Sequence, residues 1–117
     1  MLKFISLLGT NPYMPCNYFL GEQIVKDCCY IQKALVEILL DQNIAIEKVS
    51  IFTTEEAHNK NWIKNAYSHE RLGLKDELGI LAKNNNFKVG NIIIPQGHKE
   101  DELWEIFEII LNELDEE

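Results

Sequence analysis

The sequence is short of arginine, of cysteine and of long apolar runs, and each shortage excludes something. Arg71 is the only arginine, and the formal net charge is −8. Long nucleic acids are held mainly by Lys and Arg set against phosphates. No basic stripe runs along this chain, so no binding of long DNA or RNA is expected. A small anionic ligand stays open, because backbone amides, hydroxyls and helix N-termini hold phosphates without net positive charge. The three cysteines, Cys16, Cys28 and Cys29, are odd in number and two are adjacent, which makes a poor disulfide framework. No C-x-x-C or H-x-x-x-H spacing accompanies them. The thiols therefore read as small buried hydrophobes, with redox or metal chemistry as the alternative. No metal and no cofactor are expected. No apolar run approaches the ~18 residues that a membrane span needs. The N-terminus has one lysine, then a strand-like segment, and no small-residue cleavage site. It does not read as a signal peptide, and a cytoplasmic location is expected.

What is present is enough for one core. The chain has 117 residues, 46% hydrophobic and 26% charged, the composition of a single globular domain over 1–117. No internal repeat, low-complexity tract or Pro/Gly/Ser linker divides it. The most telling stretch is the start. The apolar run Leu2 to Leu8 ends abruptly in Gly9-Thr10-Asn11-Pro12-Tyr13. That is a buried strand feeding a polar loop, and open α/β sheets bind ligands outside the carboxyl ends of their strands.

Strand one is expected over Lys3 to Leu8. Cys16 to Leu20 and Gln23 to Val25 flank Gly21-Glu22, and glycine at the first place of a two-residue loop suits a type II′ hairpin. A helix is expected from Asp27 or Cys28 to Leu40, with Ile31, Ala34, Leu35, Ile38 and Leu39 on one face. A strand follows at Lys48 to Phe52. Thr53 and Glu56 match the S/T-x-x-E capping box, so a helix should start at Thr54 and draw its apolar contacts from Trp62, Ile63, Ala66 and Tyr67. A further helix is expected from Leu74 to Lys83, ended by Asn84-Asn85-Asn86. A strand is expected at Gly90 to Ile94, broken by Pro95-Gln96-Gly97. The last helix spans Glu100 to Leu114, with Leu103, Ile106, Phe107, Ile110 and Leu114 as its main stripe. Asp115, Glu116 and Glu117 at its negative end should fray.

Strands alternating with helices imply an α/β, Rossmann-like fold: a mainly parallel sheet flanked by helices, with a β-hairpin inserted near residues 16–25. A doubly wound sheet continues with another strand after such a final helix, so the domain is expected to be incomplete at its C-terminal end. The last helix is apolar over more than half its circumference, which requires a second cover.

Candidate ligand residues sit where strands end. Gly9 and Thr10 read as a simple turn or as a phosphate or ribose contact through the Thr10 hydroxyl and loop amides. No G-x-G-x-x-G is present, so no dinucleotide cofactor is indicated. Asn11 and Tyr13 suit hydrogen bonding to, or stacking on, an adenine; Tyr13 equally suits closing the loop by packing. Thr53 and Thr54 read first as a helix cap and second as peripheral ligand contacts. Gln96, Gly97 and His98 follow the third main strand, and His98 reads as an acid or base or as a plain loop histidine. His58 and His69 read as surface residues, and Trp62 and Trp104 as packing residues.

Three segments resemble a known family. Ile5-Ser6-Leu7-Leu8-Gly9-Thr10 with Tyr13, the hairpin Cys16 to Val25, and Ile31-Gln32-Lys33-Ala34-Leu35 resemble the start of CRISPR-associated Rossmann-fold (CARF) proteins. The closer likeness is to the subgroup related to type III accessory ribonucleases. Phe52-Thr53-Thr54-Glu55-Glu56-Ala57 with Asn61-Trp62 resembles that subgroup's second segment. Ile94-Pro95-Gln96-Gly97 with Glu102-Leu103-Trp104-Glu105-Ile106-Phe107 resembles its third. The resemblance implies a homodimeric sensor that binds a cyclic oligoadenylate, the tetra- or hexa-adenylate, as a second messenger in antiviral defence. Some such domains also cleave the ring slowly without metal.

Two departures accompany the resemblance. The later strand with a Thr-His-Gly-like loop has no counterpart here. The HEPN ribonuclease signature, an arginine with a histidine several residues on, has no match at Arg71. The expectation is a bare sensor portion. The alternatives are a metal-independent ring nuclease, in which a ribose 2′-hydroxyl attacks the neighbouring phosphate, and a structural fragment without ligand.

Overall fold

An apolar run without alternation suits a strand covered on both faces, and the run around Ile51 is such a strand. The computed structural model describes residues 2–115. In chain order its elements are β1 (Leu2–Leu7), β2 (Cys16–Leu20), β3 (Gln23–Cys28), α1 (Ile31–Asp41), β4 (Ile46–Thr53), α2 (Glu55–Ala57), a π-helical turn (His58–Trp62), α3 (Leu74–Asn85), β5 (Lys88–Ile93) and α4 (Glu100–Asp115). β1, β4 and β5 form one parallel sheet with β4 in the centre. The fold is α/β, a three-stranded parallel sheet flanked by helices.

Neighbouring residues of β4 point to opposite faces, and both faces are covered. Val49 and Ile51 pack with Val36 of α1, Leu74 and Leu78 of α3, and Phe87. Ser50 and Phe52, also buried, face the other way. On that side Glu113 of α4 is buried, accepts a hydrogen bond from the Ser50 hydroxyl and lies 3.0 Å from the Lys48 ammonium. α1 and α3 thus share one face, and α4 lies on the other.

β2 and β3 form a separate antiparallel pair. Gly21 opens their turn with φ +60°, the sign that a side chain disfavours. Lys26 and Asp27 together oppose Asn17, a β-bulge, and Asp27 takes φ +53°.

The structure corrects five local expectations. α1 begins at Ile31 rather than Asp27 or Cys28, because β3 stays paired to β2 as far as Cys28. Its covered surface is also shifted: Val36, Leu39 and Leu40 meet the main core while Ala34 and Ile38 meet the hairpin, leaving Ile31 and Leu35 exposed. The helix after β4 starts at Glu55, one residue late. Thr53 is still paired to Ile93, so Thr54 is the cap, its hydroxyl accepting from the Ala57 amide at 3.2 Å. That helix does not run on to Tyr67. It widens at His58–Trp62 and gives way to a loop organised by Asn65, which accepts from the Tyr67 and Ser68 amides and donates to the Leu72 carbonyl. Gly73 ends this loop so close to Trp62 and Lys64 that a Cβ would fall 2.6–2.7 Å from their backbone atoms.

The fifth correction concerns α4. Ile106, Ile109 and Ile110 are half-buried towards the sheet. Leu103, Phe107 and Leu114, placed on the main stripe, are exposed, as are Trp104 and Leu111. Trp62 is buried as a packing residue; Trp104 is 62% exposed and meets Phe107 edge-on. The expected fraying at Glu116 and Glu117 lies outside the described residues.

Candidate functional site at the carboxyl edge of the sheet

Parallel strands deliver their following loops to the same sheet edge. The ladder runs slightly past the strands: the Leu8 amide donates to the Phe52 carbonyl at 3.0 Å, and the Ile94 amide to the Thr53 carbonyl at 2.8 Å. Gly9, Thr54 and Pro95 therefore leave the sheet side by side. The nine sequence candidates, Gly9, Thr10, Asn11, Tyr13, Thr53, Thr54, Gln96, Gly97 and His98, all belong to these three exits.

The first exit is the best defined. The Gly9 amide donates to the Tyr13 hydroxyl at 2.9 Å, closing the loop on itself. A Cβ on Gly9 would sit 2.5 Å from that hydroxyl, so the close approach needs glycine. The Tyr13 ring stands edge-on to Tyr30 with centroids 6.0 Å apart. Tyr13 thus closes the loop through its hydroxyl and its ring. Thr10 is half-buried and Asn11 exposed; among the described residues no hydrogen bond engages either side chain.

The second exit ties to the first through Asn61, a fully buried residue of the π-helical turn. Its amide nitrogen donates to the Gly9 and Asn11 carbonyls, both at 2.9 Å. Its oxygen accepts from the Tyr30 hydroxyl at 3.2 Å and the Ala66 amide at 3.3 Å. Burial, with the nearby Cys29 and Glu77 acting in the same sense, pushes the Tyr30 hydroxyl above the usual phenol range, so it stays a neutral donor.

Thr53 is 1% exposed, and its hydroxyl accepts from the Asn91 amide at 3.0 Å. Asn91 also donates to the Ile51 carbonyl, and its oxygen lies 2.7 Å from His58 Nδ1. An amide that donates twice from nitrogen accepts at oxygen, so the neutral His58 ring carries its proton on Nδ1. His58 is partly buried in a polar chain with Asn91 and Thr53, not a free surface residue.

At the third exit Gly97 takes φ +81°, and a Cβ there would press on Leu103 and Ile106 of α4 at 3.1 and 3.3 Å. The bend turns the loop onto the start of α4. Gln96 and His98 are exposed and pair with each other, Oε1 to Nε2, at 2.7 Å. Among the described residues no hydrogen bond joins Gln96, Gly97 or His98 to the other two loops. Arg71 lies elsewhere: it pairs with Asp27 at 2.7 Å, at the base of the hairpin. An anion at this edge would meet amides and hydroxyls rather than a guanidinium.

Sequence reasoning passed over the positioning roles of Asn61, Asn91 and His58. Asn91 carried a signal, since asparagine is depleted in strands and this one lies between Gly90 and Ile92. Asn61 stood in the sequence only as part of the Asn61-Trp62 likeness, and its fastening role was not legible because its Gly9, Asn11 and Tyr30 partners lie far off in the chain.

No family model and no curated protein matches this chain. Among the described residues no group of three His, Cys, Asp or Glu side chains is placed to hold a metal ion, and no helix is long and apolar enough to cross a membrane.

Proposed function

We propose that this carboxyl edge is the receptor for a cyclic oligoadenylate, and that the chain is the sensing portion of a type III CRISPR accessory protein. The observation that carries the reading is the fastening of the Gly9–Tyr13 loop to the π-helical turn by Asn61. It leaves Thr10 and Asn11 unengaged at the end of a first strand, where parallel sheets take nucleotide ligands. Thr10 and the loop amides are suited to a phosphate or ribose, Asn11 to an adenine edge, and Thr54, Gln96 and His98 to the outer part of the ring. Thr53 and Gly97 shape the backbone. Tyr13 rigidifies the loop.

Support for a Rossmann-like sheet with an inserted hairpin comes from topology. The parallel strands lie in chain order, as in half of a doubly wound sheet. α4 lies on the opposite face from α1 and α3, against the central strand β4 through Glu113, so both faces of the sheet carry helices, as in a doubly wound fold. A homodimer is supported by the exposed apolar stripe of α4, which a two-fold interface would cover.

The test is isothermal titration with cyclic tetra- and hexa-adenylate, followed by chromatography of the recovered ligand. One ring is expected to release heat at one ligand per dimer, and Thr10→Ala to weaken it about tenfold or more, the effect of losing a hydrogen bond to a charged group. Recovery of linear product without added metal would make the site a ring nuclease. Absence of heat with both rings would overturn the proposal.

A further inference from the structure

We infer that Cys16 and Cys28 form a redox-responsive thiol pair, a modification site where a small-molecule disulfide closes a cross-strand bridge at the base of the β2–β3 hairpin. The two residues oppose each other in register. Opposed residues of an antiparallel pair have Cα atoms about 4.5–5.5 Å apart and project to one face. A disulfide spans Cα separations of about 4.4–6.8 Å, so the backbone already stands at bridging distance.

The neighbours agree with that placement. Cys28 packs with Val25, Ala34 and Ile38 under α1, and Tyr18, two residues from Cys16, packs against the same cluster. Burial, with the Cys16 thiol acting in the same sense, holds the Tyr18 hydroxyl above the usual phenol range. The register is pinned by the bulge, where the Asp27 amide donates to Asn17 Oδ1 at 3.0 Å. Cys29 belongs instead to the main core, with its sulfur 3.9 Å from Arg71 Nη1. Adjacent cysteines that join two different clusters do not compete for one partner.

Access sets the order of events. Cys16 is exposed and Cys28 buried, so an oxidant in solution meets Cys16 first. The Cys16 thiolate attacks one sulfur of glutathione disulfide and expels one glutathione thiolate, leaving a mixed disulfide. The Cys28 thiol, which now donates to the Tyr30 carbonyl at 3.1 Å, gives its proton to solvent. It then attacks the Cys16 sulfur and expels the second glutathione. Two protein thiols are oxidised and one glutathione disulfide is reduced. Burial holds the Cys28 thiol above the usual range, which makes its attack the slower step. The product staples residues 16–28 and removes the thiol hydrogen from the Tyr30 carbonyl.

The experiment is incubation with glutathione disulfide, blocking of remaining thiols, and non-reducing tryptic mapping. Cleavage after Lys26 separates Cys16 from Cys28, so the bridge appears as a cross-linked pair of peptides whose fragmentation distinguishes Cys28 from Cys29. The expected result is a Cys16–Cys28 link in the monomeric chain, retained in Cys29→Ala, with glutathione trapped on Cys16 in Cys28→Ala. The stapled form should melt roughly 5 °C or more above the reduced one, as closing a loop of this size implies. Glutathione that persists on Cys16 while Cys28 is present, a link to Cys29, or a link only between two chains would each overturn the inference.

Discussion

The side-chain amide of Asn61 donates to the carbonyl of Gly9 at 2.9 Å, across fifty-two positions of sequence. Through this contact, and its twin to Asn11, the loop after the first strand is shaped by a residue that follows the fourth. Asn61→Ala would leave two carbonyls, the Tyr30 hydroxyl and the Ala66 amide short of a partner in a buried setting. The expected cost is about 2–4 kcal/mol, read as a lower urea midpoint with unchanged slope. Asn61→Asp keeps the accepting oxygen but turns a second acceptor on the carbonyls, and should be no better than alanine.

Asp27 holds a backbone angle that glycine prefers, φ +53°, while its carboxylate pairs with Arg71 at 2.7 Å. Both substitutions Asp27→Ala and Asp27→Gly lose the pair, which is exposed and worth little. Only alanine keeps the left-handed penalty. Asp27→Gly should therefore be the more stable of the two by about 1 kcal/mol, measured by thermal unfolding side by side.

Glu77, in the first turn of α3, has a buried carboxylate oxygen without a hydrogen-bond partner. Burial raises its carboxyl above the usual 4.5, although Lys33 and Arg71 act in the opposite sense. A raised folded-state value means that the folded protein binds the proton more tightly than the unfolded chain. Stability from this group is present in full below the unfolded value and is lost as pH rises through the folded one. Glu77→Gln should raise the melting temperature at pH 7, and the gain should vanish near pH 4. Equal effects at both values would show that the charge is not the cause.

Phe107 is 52% exposed in the apolar stripe of α4. Phe107→Glu should change monomer stability by less than about 0.5 kcal/mol, as surface substitutions do. If a second copy covers the stripe, the same change should move sedimentation from dimer towards monomer. A chain that sediments as a monomer before and after would remove the dimer from the proposed function.

The parallel sheet was legible because β1, β4 and β5 each carry a short apolar run bounded by polar or turn-forming residues, a pattern local to each segment. So were α3 and the bounds of α4 to within two residues. The helix after β4 was not. The Thr53–Glu56 capping pattern is present in the sequence but unused, because Thr53 is retained by strand pairing with Ile93 and Thr54 caps instead, while Asn61 spends its side chain on loop backbone that no local window contains. α4 misled for another reason. Periodicity identifies an apolar face but not how far it is covered, and Leu103 and Phe107 look the same in sequence whether or not something lies against them. At the candidate site the three loop exits were readable from strand ends. The fastening of those loops by Asn61 and Asn91 was not, since it depends on pairs brought together only by the fold.

The separation of the hairpin from the main sheet bears on how the chain assembles. Lys48 to Phe52 of β4 pair with residues of both β1 and β5 that lie about forty positions away, so neither ladder can begin by a short-range turn. β2 and β3 meet across two residues and rest on the helix that follows them. Local contacts close fast, and distant parallel pairings bear the larger entropy of loop closure. The hairpin with α1 is thus the portion able to organise first, a bead on the string that shortens the search by which β1 finds β4.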